Sequence, residues 1–394
     1  MPALRLHYRS VRSLARGYHH GGHVQAVRLQ RLASVAALAL CASALQAQVI
    51  RGHVTDRVSE TALAGVVVEL LAGDSSGARI AATLSAVDGT YAMRVPAAGR
   101  YAITAKRIGV RRFRSEPLDV GAAQTVVRDL PLDALMFVLP PVLVTGLTSC
   151  DTQTRDGPRV ASLWEEASTA LYATQLSLHD QPFKAHVTRY VRELDPRSRA
   201  VLSETRSEMT GVVSRPFSSV DPDSLSALGY WSQQHDGSAT YYGPDPDALL
   251  SRGFLRDHCF RQVLGRGERR HMVGVGFVPL AARTVPDVVG VLWLDARSFE
   301  LRLVEFTYSR VHAQADSARV GGEVHFARLG SGAWIIRRWF LRLPVTARPS
   351  APLTTGVTAA PWVLVRPVTI RYREEGGEVS AAELVTRPGA RLPH

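Results

Sequence analysis

The sequence predicts a mainly β protein: a small antiparallel, Greek-key-type β-sandwich of about seven strands, then a curved antiparallel sheet backed by a helix, an α+β half-barrel. Three observations carry this. From Val49 to about Asp133, apolar and polar residues alternate in short runs separated by turn residues. Beyond residue 183 the same alternation returns in longer runs. Between the two, one stretch changes to the 3.6-residue period of an amphipathic helix.

The expected organisation is an N-terminal extension with a signal peptide (1–47), the sandwich (48–135), a linker (136–157), the β domain with its covering helix (158–375), and a C-terminal strand and tail (376–394). The first segment is read from Arg28 and Arg31, which precede the apolar run LASVAALALCASAL and then LQAQ. Basic, apolar and small-residue parts in that order are the layout of a secretory signal, with cleavage expected after Ala47. The run is about fourteen residues, short of the roughly twenty a bilayer span needs. Cys41 follows Leu40, where a lipoprotein signal places a small residue, so cleavage is expected over lipid anchoring. The expected location is the periplasm or the outer-membrane periphery of a Gram-negative cell.

Charge narrows the partners. The formal charge is +12, but only Lys106 and Lys184 among the 47 basic residues are lysines, a bias that follows from GC-rich codons more simply than from phosphate contact. Six arginines and no acid precede residue 48, so the charge falls to +6 once that segment leaves. No RNA-binding motif interleaves with the arginines, and nucleic acid is not an expected partner. The tract holding His19, His20 and His23 lies in the part expected to be lost, and no metal or cofactor is expected. Export leaves Cys150 and Cys259 in a compartment where disulfides form, so these two are predicted to be bridged.

Within the first domain, Ile50 and Val54, then Val66, Val68 and Leu70, then Tyr91, Met93 and Val95, then Tyr101, Ile103 and Ala105 share single faces and form the predicted core. GDSSG, Gly73 to Gly77, satisfies the G-x-S-x-G pattern of a nucleophile elbow, but strand follows it where an elbow needs a helix, so Ser75 is a turn residue. Asp88-Gly89 supplies the positive φ of a tight hairpin. The series Gly52-His53-Val54-Thr55-Asp56, Ala64-Gly65-Val66, Asp88-Gly89-Thr90-Tyr91, Val95-Pro96, Gly99-Arg100-Tyr101 and Ile108-Gly109 resembles the carboxypeptidase regulatory-like domain, a transthyretin-like sandwich grouped with carbohydrate-binding-like folds. These are turn and core signatures. They imply the fold, while the two tyrosines fall in phase with the buried aliphatics and offer no sugar platform.

VLPPVLVTG, Val138 to Gly146, resembles the segment joining such a sandwich to the plug of a TonB-dependent receptor. The 248 residues after Gly146 are too few for a plug and about twenty-two strands. In the second domain, Val160, Leu163, Trp164, Ala167 and Leu171 recur at helical spacing with Glu165 and Glu166 off the stripe. Asp245 and Pro246 start one short helix running toward His258, with the two acids Asp245 and Asp247 read as caps rather than calcium ligands. The strands KAHVTRYVREL, RAVLSETRSEMTGVV, RHMVGVGFVPL, DVVGVLWLDA, ELRLVEFTYSRV, GEVHFARL, AWIIRRWFLRLPV and WVLVRPVTIRYRE complete the domain. Helix followed by hairpin ladder is similar to the half-barrels of LolA-like lipoprotein carriers, which hold acyl chains. That resemblance implies a cavity lined by Trp164, Trp293, Phe306, Trp334 and Trp339.

The functional expectation is an exported, non-enzymatic envelope protein that binds another envelope protein or an apolar ligand. Two alternatives stay beside it: a carrier of lipid or lipoprotein acyl chains, and a hydrolase using His179, His186 or His258 as base. Peptide mapping of the exported protein without reductant checks the predicted bridge. One cross-linked pair joining Cys150 to Cys259 is expected, and two alkylatable thiols would dispose of it.

Overall fold

In the computed structural model, residues 48–133, 157–180, 183–213, 215–233, 239–311, 320–347 and 368–384 are described. Alternating burial builds the sandwich. β1 (Gln48–Asp56), β4 (Thr90–Val95), β8 (Thr125–Val127) and β9 (Leu130–Leu132) make one sheet. β2 (Val67–Ala72), β3 (Arg79–Leu84), β5 (Gly99–Lys106), β6 (Phe113–Arg114) and β7 (Leu118–Val120) make the other. β8 and β9 share one edge of β1, and β6 and β7 share one edge of β5, so these strands fill seven places in the two sheets. Every residue expected on the inner faces is in the sandwich core. Tyr91 and Tyr101 are buried there, and their hydroxyls donate to the carbonyls of Arg128 (2.6 Å) and Ala97 (2.8 Å).

Two local expectations are corrected. The sandwich is not wholly antiparallel, because β8 and β9 run parallel to β1. Side chains alternate identically in both kinds of ladder, so the residue pattern does not distinguish them. Asp88-Gly89 does have its positive φ at Gly89, 79°, but it is no hairpin: β3 pairs with β2 and β4 with β1, so the turn carries the chain from one sheet to the other. Asp88 holds it by accepting from the amide (3.0 Å) and hydroxyl (2.7 Å) of Thr90. GDSSG is the loop of the β2–β3 hairpin, closed by Asp74 accepting from the Ser76 amide.

The second domain is a nine-stranded antiparallel sheet. It contains β10 (Phe183–Leu194), β11 (Val201–Val213), β14 (His258–Leu264), β15 (Met272–Pro279), β16 (Val288–Asp295), β17 (Leu301–Tyr308), β18 (Gly321–Arg328), β19 (Trp334–Ala347) and β20 (Val368–Leu384). Their order is β11-β10-β20-β19-β18-β17-β16-β15-β14. Strands β14 to β19 meander, each pairing with its successor, and β20 enters between β19 and β10. Among the described residues the two ends, β11 and β14, do not meet, so the sheet is open. β12 (Trp231–Gln233) and β13 (Ala239–Tyr241) form a separate ribbon.

β20 runs unbroken through residue 375, where the sequence reading placed the end of the domain. Glu374 in this strand is buried and ion-paired to Arg342 (2.7 Å) and Arg192 (3.5 Å). β14 was absent from the sequence reading, and the one short helix proves to be two.

Four helices are described: α1 (Gly157–Asp180), α2 (Pro222–Leu228), α3 (Pro246–Leu250) and α4 (Arg252–Asp257). α2 and α3 begin alike, at Asp221-Pro222 and Asp245-Pro246, each aspartate accepting from the amide three residues on. Ser251 ends α3 and caps α4. α1 lies on the sheet with Leu163, Ala167, Ala170, Leu171 and Leu178 in one cluster with Val275, Leu292, Val304, Phe306, Ile335 and Ile336. Leu171 is fully buried, so Leu171→Ala is expected to cost about 2–5 kcal/mol. Urea unfolding of the purified protein reads this directly, and a loss below about 1 kcal/mol would mean that the helix is not seated as described.

Candidate functional site

One group of polar contacts lies where the sandwich meets α1. A helix on a sheet ordinarily turns its polar side to water, yet the side of α1 facing away from the sheet core meets β2, β3 and the end of β5. Glu165, Thr169 and Tyr172 lie along that side at the spacing that stacks side chains on one helix face. Lys106 Nζ lies 3.2 Å from Glu165 Oε1, and Arg112 Nε lies 3.4 Å from the same oxygen. The Gly109 amide donates to Glu166 Oε2 at 2.9 Å, and the Arg79 guanidinium sits 4.4 Å over the Tyr172 ring. Val67 and Leu84, on the outward face of their sheet, join the core cluster of the second domain.

Burial shapes the electrostatics. Lys106 is largely enclosed, and desolvation lowers its pKa even though Glu165 pulls the other way. Glu166 is raised for the same reason, its burial outweighing the Gly109 amide and the nearby Lys106.

Beside these contacts a cleft of about 340 Å³ opens between the two units, bounded by Glu69, Arg79, Lys106, Arg112, Tyr172 and Asp247. Its charges have partners: Glu69 accepts from Arg79 (3.3 Å) and Thr104 (3.1 Å), and Asp247 pairs with Arg215 (2.9 Å) and accepts from Gln175 (2.5 Å). A second cleft, about 210 Å³, lies between Gly65, Arg107 and Ile108 on one side and Ser298, Glu300, Arg328 and Trp334 on the other.

At its wall two backbones touch. Gly65 has φ +69°, and a Cβ there would stand 2.3 Å from the Gly332 carbonyl oxygen, while Gly332 has φ +85° and meets Gly65 in return. Each position needs both the left-handed backbone and the absence of a side chain.

The residues expected to line an acyl cavity are spread over the domain. Trp164 packs on Phe260 with ring centroids 4.9 Å apart. Phe306 lies in the core against Tyr308. Trp334 sits under the end of α1, where its amide donates to Ser177 Oγ at 2.9 Å. Trp339 lies toward β10 with Phe217 and the Arg189 guanidinium. Trp293 follows Leu292 of the core on its strand and so faces the opposite side of the sheet, under Arg269 and donating to Glu305 at 3.1 Å. A count of aromatics along strands does not reveal the face that each one takes.

His258 is buried with Nδ1 donating to the Phe254 carbonyl (3.0 Å) and Nε2 3.1 Å from Asp287 Oδ1. Nδ1 is engaged in this bond, whereas Nε2 is buried beside Asp287 without a hydrogen bond. His186 stands on β10, 2.8 Å from the Thr210 hydroxyl. The side chain of His179 lies outside the described residues, as do Cys41, the His19, His20 and His23 tract and Cys150. Cys259 is half-buried on β14, its Sγ 3.4 Å from the Val278 carbonyl oxygen.

The junction acids were read in the sequence only as the polar side of a helix, and Lys106 only as one of two lysines. The available signal was the pairing of Glu165 with Glu166 in a helix lacking acids elsewhere before Asp180.

The fold and junction define a two-sheet β-sandwich docked on a helix-backed open sheet. Residues 49–133 match the carboxypeptidase regulatory-like domain. No curated protein matches the sequence. Among solved structures, the chain is similar to a group B streptococcus pilus 2b backbone protein at 13% identity and TM-score 0.19, over 22% of this chain and 41% of that one. It is similar to a 3-chlorocatechol 1,2-dioxygenase from Rhodococcus opacus 1CP at 10% identity and TM-score 0.17, over 22% and 60%. A Bacteroides fragilis protein of unknown function, described as membrane-associated, aligns at 11% identity and TM-score 0.17 over 85% of this chain and 96% of its own. The chain thus spans less than two thirds of the first two.

Two outcomes follow from the junction. Because the folded Glu166 carboxyl titrates above its ordinary 4.5, its contribution to stability is full below about pH 4.5 and is lost as pH rises through the raised value. Melting curves of Glu166→Gln from about pH 4 to about pH 8 should therefore show a shallower decline than wild type. An identical or steeper decline would refute the assignment. Gly65→Ala should cost about 1–2 kcal/mol from the backbone alone. In calorimetry it should split the unfolding of the two units, whereas an unchanged single transition would show that the glycine contact does not couple them.

Proposed function

We propose that this chain is an exported, non-catalytic binding or structural protein of a Gram-negative cell envelope, in which the sandwich and the helix-backed sheet together form a platform for an envelope partner or an apolar ligand. The observation that carries the reading is the saturation of the junction: Lys106, Arg112, Arg79, Glu165, Glu166 and Asp247 each engage another group of the same chain. Charges committed in this way hold two units together, whereas a reaction centre keeps an acid, base or nucleophile turned to its substrate.

The carboxypeptidase regulatory-like domain is itself non-catalytic, which supports the same reading. His258, one of the histidines considered as a base, is buried, with Nδ1 bonded to the Phe254 carbonyl and Nε2 facing the Asp287 carboxylate of the same chain. Export rests on the basic, apolar and small-residue order before Gln48. No helix among the described residues is long and apolar enough to cross a membrane.

Expression of the full chain in a Gram-negative host tests both parts. Osmotic shock should release a product beginning at Gln48, with no turnover of chromogenic ester, peptide, glycoside or phosphoester substrates. Cytoplasmic retention of a product beginning at Met1 would overturn export. Turnover abolished by His186→Ala would overturn the non-catalytic reading.

A further inference from the structure

β11 is the feature that the platform leaves unused. It is a 13-residue edge strand whose residues are exposed on both faces, apart from Gly211 and Val213 near its end. Its inner edge pairs with β10 along its whole length, and its outer edge has no strand partner among the described residues. Such an edge offers a row of backbone donors and acceptors to another strand. Val201, Leu202, Met209 and Val212 are each more than half exposed. β11 contains no proline, and its charges are of both signs, Glu204, Arg206 and Glu208.

We propose that β11 pairs with β11 of a second copy of this chain, antiparallel about a two-fold axis at Ser207. Such an axis is perpendicular to the sheet and keeps each face on its own side, so it must pass through a like pair of residues. Few registers qualify. Centred on Arg206, the strand sets Arg206 against itself and Glu204 against Glu208; centred on Glu208, it sets Glu208 against itself. Centring on Thr205 matches Glu204 with Arg206 but places Leu202 against Glu208 and leaves the last four residues unpaired.

Centring on Ser207 uses the whole strand. Arg206 of one copy faces Glu208 of the other twice over, Leu202 faces Val212, Val201 faces Val213, and Thr205 faces Met209. Opposite charges and apolar pairs directly across a ladder are the stabilising combinations. The Arg206 and Glu208 side chains are 62% and 64% exposed; within the chain Arg206 pairs with Glu204 and Glu208 lies 3.8 Å from His186 Nε2, so pairing across the axis shares or exchanges these exposed contacts. The product is one continuous sheet through two copies.

Sedimentation of the full chain over a range of concentrations is expected to show a monomer–dimer equilibrium. Arg206→Glu alone and Glu208→Arg alone should each lose the dimer, because each sets like charges across the axis. Mixing the two variants should restore it as a heterodimer, since every contact is again Glu against Arg. Both side chains are exposed, and circular dichroism matching wild type verifies that the variants fold.

Ser207→Cys provides a second readout. Directly opposed residues in an antiparallel ladder have Cα atoms about 4.5–5.5 Å apart, within disulfide reach. Oxidation should therefore link Ser207→Cys into a covalent dimer and leave Thr205→Cys unlinked. A wild-type protein that stays monomeric throughout, a mixture that fails to restore the dimer, or linking of Thr205→Cys in place of Ser207→Cys would each overturn the proposal. A strand from another protein seated on the edge of a chain that stays monomeric is the first of these outcomes.

Discussion

The structure depends on one constraint: α1 has to satisfy two surfaces at once. One side is apolar and closes the core of the nine-stranded sheet, from Leu163 to Leu178. The other carries Glu165 and Glu166, which would ordinarily stand in water and here take the amide of Gly109 and the cations of Lys106 and Arg112. A buried carboxylate without such partners would carry several kcal/mol of uncompensated desolvation. The helix therefore holds its place only if the sandwich also holds its own. That dependence is the physical basis for the two units forming one compact unit.

The contact is shape-limited as well as charged. Gly65 and Gly332 bring two turns to backbone distance, closer than any side chain would allow. Val67 and Leu84 add apolar area from the outer face of a sandwich sheet, a face that an isolated sandwich would leave to solvent. Polar pairs set the register of this junction, and apolar contact supplies most of its attraction. The clefts beside it are what remains when two convex bodies meet through a few contacts. Their polar lining follows from the charges that fix the contact.

The far end of the sheet is arranged differently. β20 inserts between β19 and β10, so the hairpin of β10 and β11 joins the meander only through the last described strand. The pairing buries Glu374 between Arg192 and Arg342, a charge-paired interior on a sheet face that otherwise would need apolar cover. Beyond it β11 is exposed along most of its length among the described residues. Among the described residues, the outer edge of β11 is left as a ladder half made.

The sequence by itself determined most of the long strands, the long helix and the sandwich core, because burial on one face imposes a period that the residues must display. Ile50, Tyr91, Ile103, Leu163 and Leu171 are all where their spacing puts them. Capping chemistry was legible too, in Asp245-Pro246, although the same signal at Asp221-Pro222 passed unread. Only the tertiary structure decided that β8 and β9 run parallel to β1, that β20 is an inner strand, that Trp293 lies across the sheet from Phe306, and that Glu165 and Glu166 face protein. The reason is common to all four. Periodicity records that a side chain is covered, but it carries no information about which distant segment covers it, since that choice is made by contacts between residues far apart in the chain.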